Sequence, residues 1–187
     1  MTGEAFAGGA AATGVGGMLE RTLRPSPVTG IRVDPLLTAV LLSELLTPSS
    51  EIWLVSAWIS DVQAVDNTRG DYDSLFGDAA ARLYSLSEVL GLLTVRGSRL
   101  TLVTRDVTEN DLFLTRLGRA ANPERLHLIR SPDVHEKTFC GGDWLLSGSM
   151  NFTVNGMTVN DEVITYKLDG TAAARARIDL AHRWTIS

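Results

Sequence analysis

A mixed β-sheet covered by helices on both faces is the α/β fold that this sequence predicts, and three observations carry the prediction. Helical and extended patterns alternate along most of the chain. The run Ile52-Trp53-Leu54-Val55-Ser56-Ala57-Trp58-Ile59 is too continuously apolar for a surface strand and, bounded by turn residues, suits a central strand buried on both faces. Residues 134–147 read as a β-hairpin turned at Gly141-Gly142. With 187 residues, 44% of them hydrophobic and 21% charged, the chain has ordinary globular composition and suffices for one domain with a sizeable core.

Residues 1–30 read as a flexible arm, Ala/Gly-rich over 1–17 and broken by Pro25-Ser26-Pro27, so the folded domain is expected over 31–187. Glu4, with no basic leading region and no long apolar run, argues against a signal peptide or membrane anchor, and a cytoplasmic protein with no membrane partner is expected. Asp34-Pro35 reads as an N-cap and first helical residue ahead of an apolar stripe, Leu36, Leu37, Val40, Leu41, Leu45 and Leu46, that ends before Pro48. Residues 51–59 form the core strand and 61–73 a polar loop. An amphipathic stretch follows over 74–95, as one helix or two, then a strand over 100–104. Thr108 is read as the N-cap of a helix through Ala121, with Glu109 and Asp111 in its first turn and Arg116 and Arg119 in its last, complementing the macrodipole. A short strand at 126–130, the hairpin, a strand at 162–168 and a helix at 171–184 complete the order.

The formal charge of -5 argues against a generally basic coat, so any polyanion must be met by a local cluster. One cysteine, Cys140, excludes an intrachain disulfide, and its apolar strand position points to a buried structural thiol rather than a nucleophile. Strand alternation over 134–139 puts His135, Lys137 and Phe139 on one face and Glu136 and Thr138 on the other. Gly148-Ser149-Met150-Asn151 closes the hairpin with small and amide groups suited to an oxyanion. The three His are scattered and no carboxylates flank the hairpin at ligand spacing, so neither metal nor cofactor is expected.

Taken together, His135-x-Lys137, the turn, Gly148-Ser149-Met150-Asn151-Phe152-Thr153 and the acidic stretch Asn160-Asp161-Glu162-Val163 resemble the signature of the phospholipase D superfamily, over about residues 134–166. One feature departs from that pattern. Asp143 sits one place late and the hairpin is a residue short, so this Asp falls in or just after the turn. No second His-x-Lys is present, since His127 and His182 lack a Lys two residues on, and the chain therefore resembles the single-motif, nuclease-like branch.

That resemblance implies a phospholipase D-like domain acting as a metal-independent phosphodiesterase, a nuclease on DNA or RNA with DNA favoured. His135 would form a phosphohistidine while Lys137, Ser149 and Asn151 hold the phosphoryl charge. Glu162 is the favoured acid to orient His135, with Asp161 and Asp143 as rivals. Trp58, at the end of the core strand, and Ser147 and Gly148, entering the Gly-Ser turn, are assigned to substrate binding. A lone motif implies a homodimer, because one His cannot serve at once as nucleophile and as acid on the opposite face. The chain also resembles the phospholipase D-like components of bacterial defence and DNA-modification cassettes, whose other proteins would be its partners. Two alternatives stand beside the nuclease: a non-catalytic nucleic-acid-binding or assembly subunit, and a phospholipid headgroup hydrolase or transferase.

Overall fold

Two apolar cores meet on one strand, β2 (Glu51–Ser56), and every other element is placed relative to it. Ile52 and Leu54 point to one face while Trp53, Val55 and Ala57, just past the strand, point to the other, and none is more than 2% exposed. The period of two in side-chain direction turns a continuous apolar run into a strand buried on both sides. The computed structural model describes residues 19–25, 32–77, 81–158 and 162–184. Residues 1–18 of the expected arm lie outside that set, as does Asp161.

β2 sits inside a seven-stranded mixed sheet. On one side it runs parallel to β5 (Arg99–Thr104), which in turn runs parallel to the edge strand β6 (Leu126–Arg130). On the other side it is antiparallel to β7 (Thr138–Cys140), followed by β8 (Trp144–Gly148), β9 (Ile164–Leu168) and β1 (Leu19–Leu23), all antiparallel. Helices α1 (Asp34–Leu46), α3 (Leu86–Val95) and α4 (Asp111–Ala120) contribute Leu37, Leu41, Leu90 and Phe113 to the core beneath Ile52 and Leu54. On the opposite face, α6 (Gly170–Trp184), which follows the short α5 (Val154–Thr158) in the chain, packs Leu180, Ala176 and Trp184 against Trp53, Val55 and Cys140. The expected α/β fold with helices on both faces is present.

Four local expectations are corrected. Leu19–Leu23 is not part of an arm but an edge strand, carried by its ladder to β9 and by the Glu20–Lys167 ion pair at 3.2 Å. Its side chains are largely exposed, so pairing of the backbone, which leaves no apolar signature, decides its state. Residues 61–73 are not wholly loop: Gln63–Asp66 forms β3, antiparallel to β4 (Leu83–Ser85), with a bulge between Gln63 and Val65. The stretch 74–95 holds two helices, the second of its two readings, with α2 (Asp73–Phe76) and α3 separated by β4. Ser85 and Glu88 form a reciprocal capping box that fixes this start. The caps expected of Asp34 and Thr108 are also displaced: Asp34 lies inside α1 after Val33, and Thr108 opens a 3₁₀ turn (Thr108–Asn110) with no side-chain cap before α4.

The β7–β8 turn is held from outside the hairpin. Glu44 of α1, only 3% exposed, accepts from the Trp144 indole N–H at 2.5 Å, the Ser49 amide at 2.8 Å and the Ser49 hydroxyl at 2.7 Å. The Gly142 amide donates to Ser49 Oγ at 2.6 Å, and the Arg177 guanidinium of α6 donates to the carbonyls of Gly141 and Gly142. Gly141 is obligatory here, because a Cβ would overlap the Trp144 indole and the Glu44 carboxylate. Asp143 is exposed.

Cys140 is fully buried, and burial above all pushes its thiol up to about 12. The thiol therefore stays protonated at pH 8, and a thiolate-selective reagent such as Ellman's is expected to leave the folded protein unmodified while titrating one thiol in denaturant. Rapid modification of the native protein would contradict this placement.

Candidate active site

His135 lies between two anchors. Val134 before it is 0% exposed, within the core under α6, and β7 begins three residues later. Residues 134–137 lie outside the strand, which begins at Thr138, so the expected strand is shorter than its alternation suggests. The alternation in direction nevertheless persists: Glu136 pairs with Arg183 of α6 at 2.7 Å, whereas Phe139 enters the core under α1. His135 is exposed, and Lys137, two residues on, is half-buried and donates from Nζ to the His135 carbonyl at 2.6 Å.

The Gly148-Ser149 end of the hairpin lies beside Lys137, since the Gly148 amide donates to the Lys137 carbonyl at 3.3 Å. The turn carrying Asp143 is at the hairpin's other end, beyond Cys140. Gly148 admits no side chain, because a Cβ would overlap the Val163 carbonyl oxygen of the segment entering β9. Ser149 is bonded to Glu162: its hydroxyl donates to Glu162 Oε2 and accepts from the Val163 amide at 3.0 Å. The acid expected to orient His135 thus holds Ser149, and the ring of His135 meets a different group. Ser147 borders a small pocket with Lys137, Gly148 and Met150 and also reaches the other side of the sheet. Strand alternation turns it to the α6 side, into a cleft of about 260 Å³ shared with Glu136, Thr138, Asp179 and Arg183.

Asn151 and Trp58 are brought together by the end of β2. Ser56 Oγ donates to the Trp58 carbonyl at 2.9 Å and lies 3.4 Å from Asn151 Oδ1, and Ile59 forms a bridge with Phe152. Beneath them Phe139 stacks edge-on against both Trp144 and Phe152, at 4.8 and 5.6 Å between ring centres. This rigid aromatic floor fixes where the two ends of the hairpin can lie.

Arg105, which the sequence reading left out, stands against His135. Its guanidinium lies over the Trp58 ring, 4.6 Å from the centroid, and Nη2 is 3.3 Å from His135 Nδ1, 3.5 Å from Nε2 and 3.3 Å from the Val134 carbonyl. Its placement depends on Asn110, which is fully buried. The Asn110 amide donates to the Ala57 carbonyl at 3.0 Å, to Thr104 Oγ1 at 2.8 Å and to the Arg105 carbonyl at 3.0 Å, and its oxygen accepts from the Ile59 amide at 2.9 Å. One side chain thereby locks the end of β2 to the end of β5. The available signal was position: Arg105 directly follows a buried parallel strand, and the carboxyl ends of such strands are where α/β sheets place ligands.

Among the described residues there is no cluster of three or more potential metal ligands, and no helix is long and apolar enough to cross a membrane. No protein-family model matches the sequence, and no curated protein matches it. Solved structures do match. NucT from Helicobacter pylori superposes with a TM-score of 0.61 at 10% identity, over 91% of this chain and 98% of that one. Nuc from Salmonella typhimurium, a phospholipase D family member, gives 0.57 at 13% identity, over 89% and 94%. TrmBL2, an archaeal chromatin protein, gives 0.53 at 11% identity, over 89% of this chain and 52% of its own. The likeness spans nearly the whole of the NucT and Nuc chains, and this protein has the phospholipase D fold.

Proposed function

We propose that the protein is a phosphodiesterase that cleaves nucleic acid, DNA by preference, through a phosphohistidine at His135 in a site completed by a second copy of the chain. The observation that supports this most is an exposed imidazole beside an ammonium with no carboxylate partner among the described residues, on the phospholipase D fold. In the first step an imidazole nitrogen of His135 gives its lone pair to phosphorus as the bond to the leaving oxygen breaks. The leaving oxygen takes a proton from His135 of the second copy. Water then attacks phosphorus, the P–N bond breaks, and the proton from water returns to that second histidine. Lys137 and the Asn151 amide hold the charge on the equatorial oxygens, and Glu162 acts through Ser149 by keeping its hydroxyl in place.

Purified protein is expected to hydrolyse bis(p-nitrophenyl) phosphate and a single- or double-stranded oligonucleotide in excess EDTA, because Lys137 supplies the positive charge that a metal would otherwise bring. Sedimentation is expected to give a dimer. Activity lost with EDTA and restored by Mg²⁺, or full activity in a strict monomer, contradicts this reading. The fold likeness to TrmBL2, itself a DNA-binding protein, supports one second reading, a binding subunit without turnover. Oligonucleotide binding with no hydrolysis of either substrate selects it.

A further inference from the structure

We propose that Arg105, which lies outside the His-x-Lys and Gly-Ser-x-Asn pattern, is the residue that receives the charge of the scissile phosphate at His135. The inference deepens the phosphodiesterase reading and rests on it for the identity of the anion. A nitrogen almost equidistant from Nδ1 and Nε2, at 3.3 and 3.5 Å, lies on the lone-pair axis of neither. In the ring plane a nitrogen at those distances would collide with Cε1, so Nη2 lies over the face of the imidazole. The in-plane approach to each ring nitrogen stays open, one for attack on phosphorus and the other for an orienting acceptor.

Three further features mark Arg105 as a ligand-binding cation rather than a strut. Unlike Arg116, Arg130 and Arg183, which each pair with a carboxylate at 2.7 to 2.9 Å, it has no acidic partner among the described residues. Its Nη1 has no partner among the described residues, so a donor remains for an oxyanion, while Nε is buried without an acceptor. Stacking on Trp58 and the bond from Nη2 to the Val134 carbonyl hold the guanidinium, and Asn110 fixes the Arg105 backbone through its carbonyl, which lowers the entropy cost of using the side chain. A planar fork facing a tetrahedral anion binds two oxygens at once, and Lys137, approaching from the backbone side of the same histidine, supplies the second positive charge.

The test uses the full chain with Arg105→Gln and Arg105→Lys, orthophosphate as the probe of binding and bis(p-nitrophenyl) phosphate as the probe of turnover. Arg105→Gln is expected to weaken orthophosphate binding at least about tenfold and to lower kcat by about 10²- to 10³-fold, the usual loss when one oxyanion donor is removed. Arg105→Lys, which keeps the charge over Trp58 but loses the fork, is expected to fold like the wild type and to recover part of both. Orthophosphate binding that is absent in the wild type, or equal in all three proteins, overturns the proposal. So does a kcat for Arg105→Gln within threefold of wild type while His135→Ala is inactive. Should the wild type bind orthophosphate through Arg105 yet hydrolyse no diester, the anion site stands and the hydrolase reading falls.

Discussion

His135→Ala is expected to lower kcat for diester hydrolysis by about 10⁴-fold or more, because removing a covalent nucleophile leaves only the binding and charge-stabilising groups to act. Its melting temperature should stay close to wild type, since the His135 side chain is exposed and the neighbouring chain is anchored by Val134 and β7. Lys137→Ala should cost about 10²- to 10³-fold, the range for a lost charge stabiliser. Glu162→Gln should cost less than either, because its carboxylate is bonded to the Ser149 hydroxyl and the described partner of the His135 ring is Arg105. Rapid-quench capture of an acid-labile, base-stable phosphorylated protein in the wild type and its absence in His135→Ala would tie the loss to the covalent step. A folded His135→Ala protein with near-native turnover rules out this nucleophile.

Glu44→Ala is expected to be the most destabilising change near the hairpin, by about 3 kcal/mol, because it leaves the buried Trp144 indole and the Ser49 amide without their acceptor, at about 1–3 kcal/mol for each unpaired donor. For a chain of this size that corresponds to a fall of about 6–12 °C in Tm, measurable by calorimetry. Asp143→Asn, by contrast, should leave Tm and kcat nearly unchanged, since this side chain is exposed at the end of the hairpin away from His135. Equal melts for Glu44→Ala and wild type would mean that the turn is held by Arg177 and the glycines instead. A severe loss of activity in a folded Asp143→Asn protein would contradict the placement of that residue.

The parts of the fold that were legible in the sequence are those where burial writes a period. α1 follows from Leu37, Val40, Leu41 and Leu45, and β2 from its unbroken apolar run. Glu44 was legible too, as a carboxylate at helical spacing from Val40 and Leu41 on the buried stripe, which is a place where a charge needs a partner. The box Ser85-Leu86-Ser87-Glu88 marked the start of α3, but the apolar pattern extending back through Leu75 and Leu83 masked it. Leu19–Leu23 and Gln63–Asp66 left little trace because edge and two-stranded pairings are made by backbone atoms that every residue carries. Of the site, His135, Lys137, Gly148 and Ser149 stand in one short segment and could be read from spacing, whereas the approach of Arg105 to His135 depends on β2 lying between β5 and β7. The bond from the Ser149 hydroxyl to Glu162 was not legible for a similar reason: alternation fixes which face a side chain leaves from, but not which nearby group it reaches.

The central position of β2 also shapes how the protein is made. Trp53 pairs with Thr101 on one side and Cys140 on the other, so β2 emerges from the ribosome long before either neighbour has been synthesised. During that interval both of its hydrogen-bonding edges are open and its two apolar faces are bare, the condition under which strands of high β-propensity join other chains. Chaperones and a low synthesis rate and temperature are expected to favour folding over association in this interval. Expression yield should therefore respond to those conditions more strongly than the melting temperature of the finished protein would suggest.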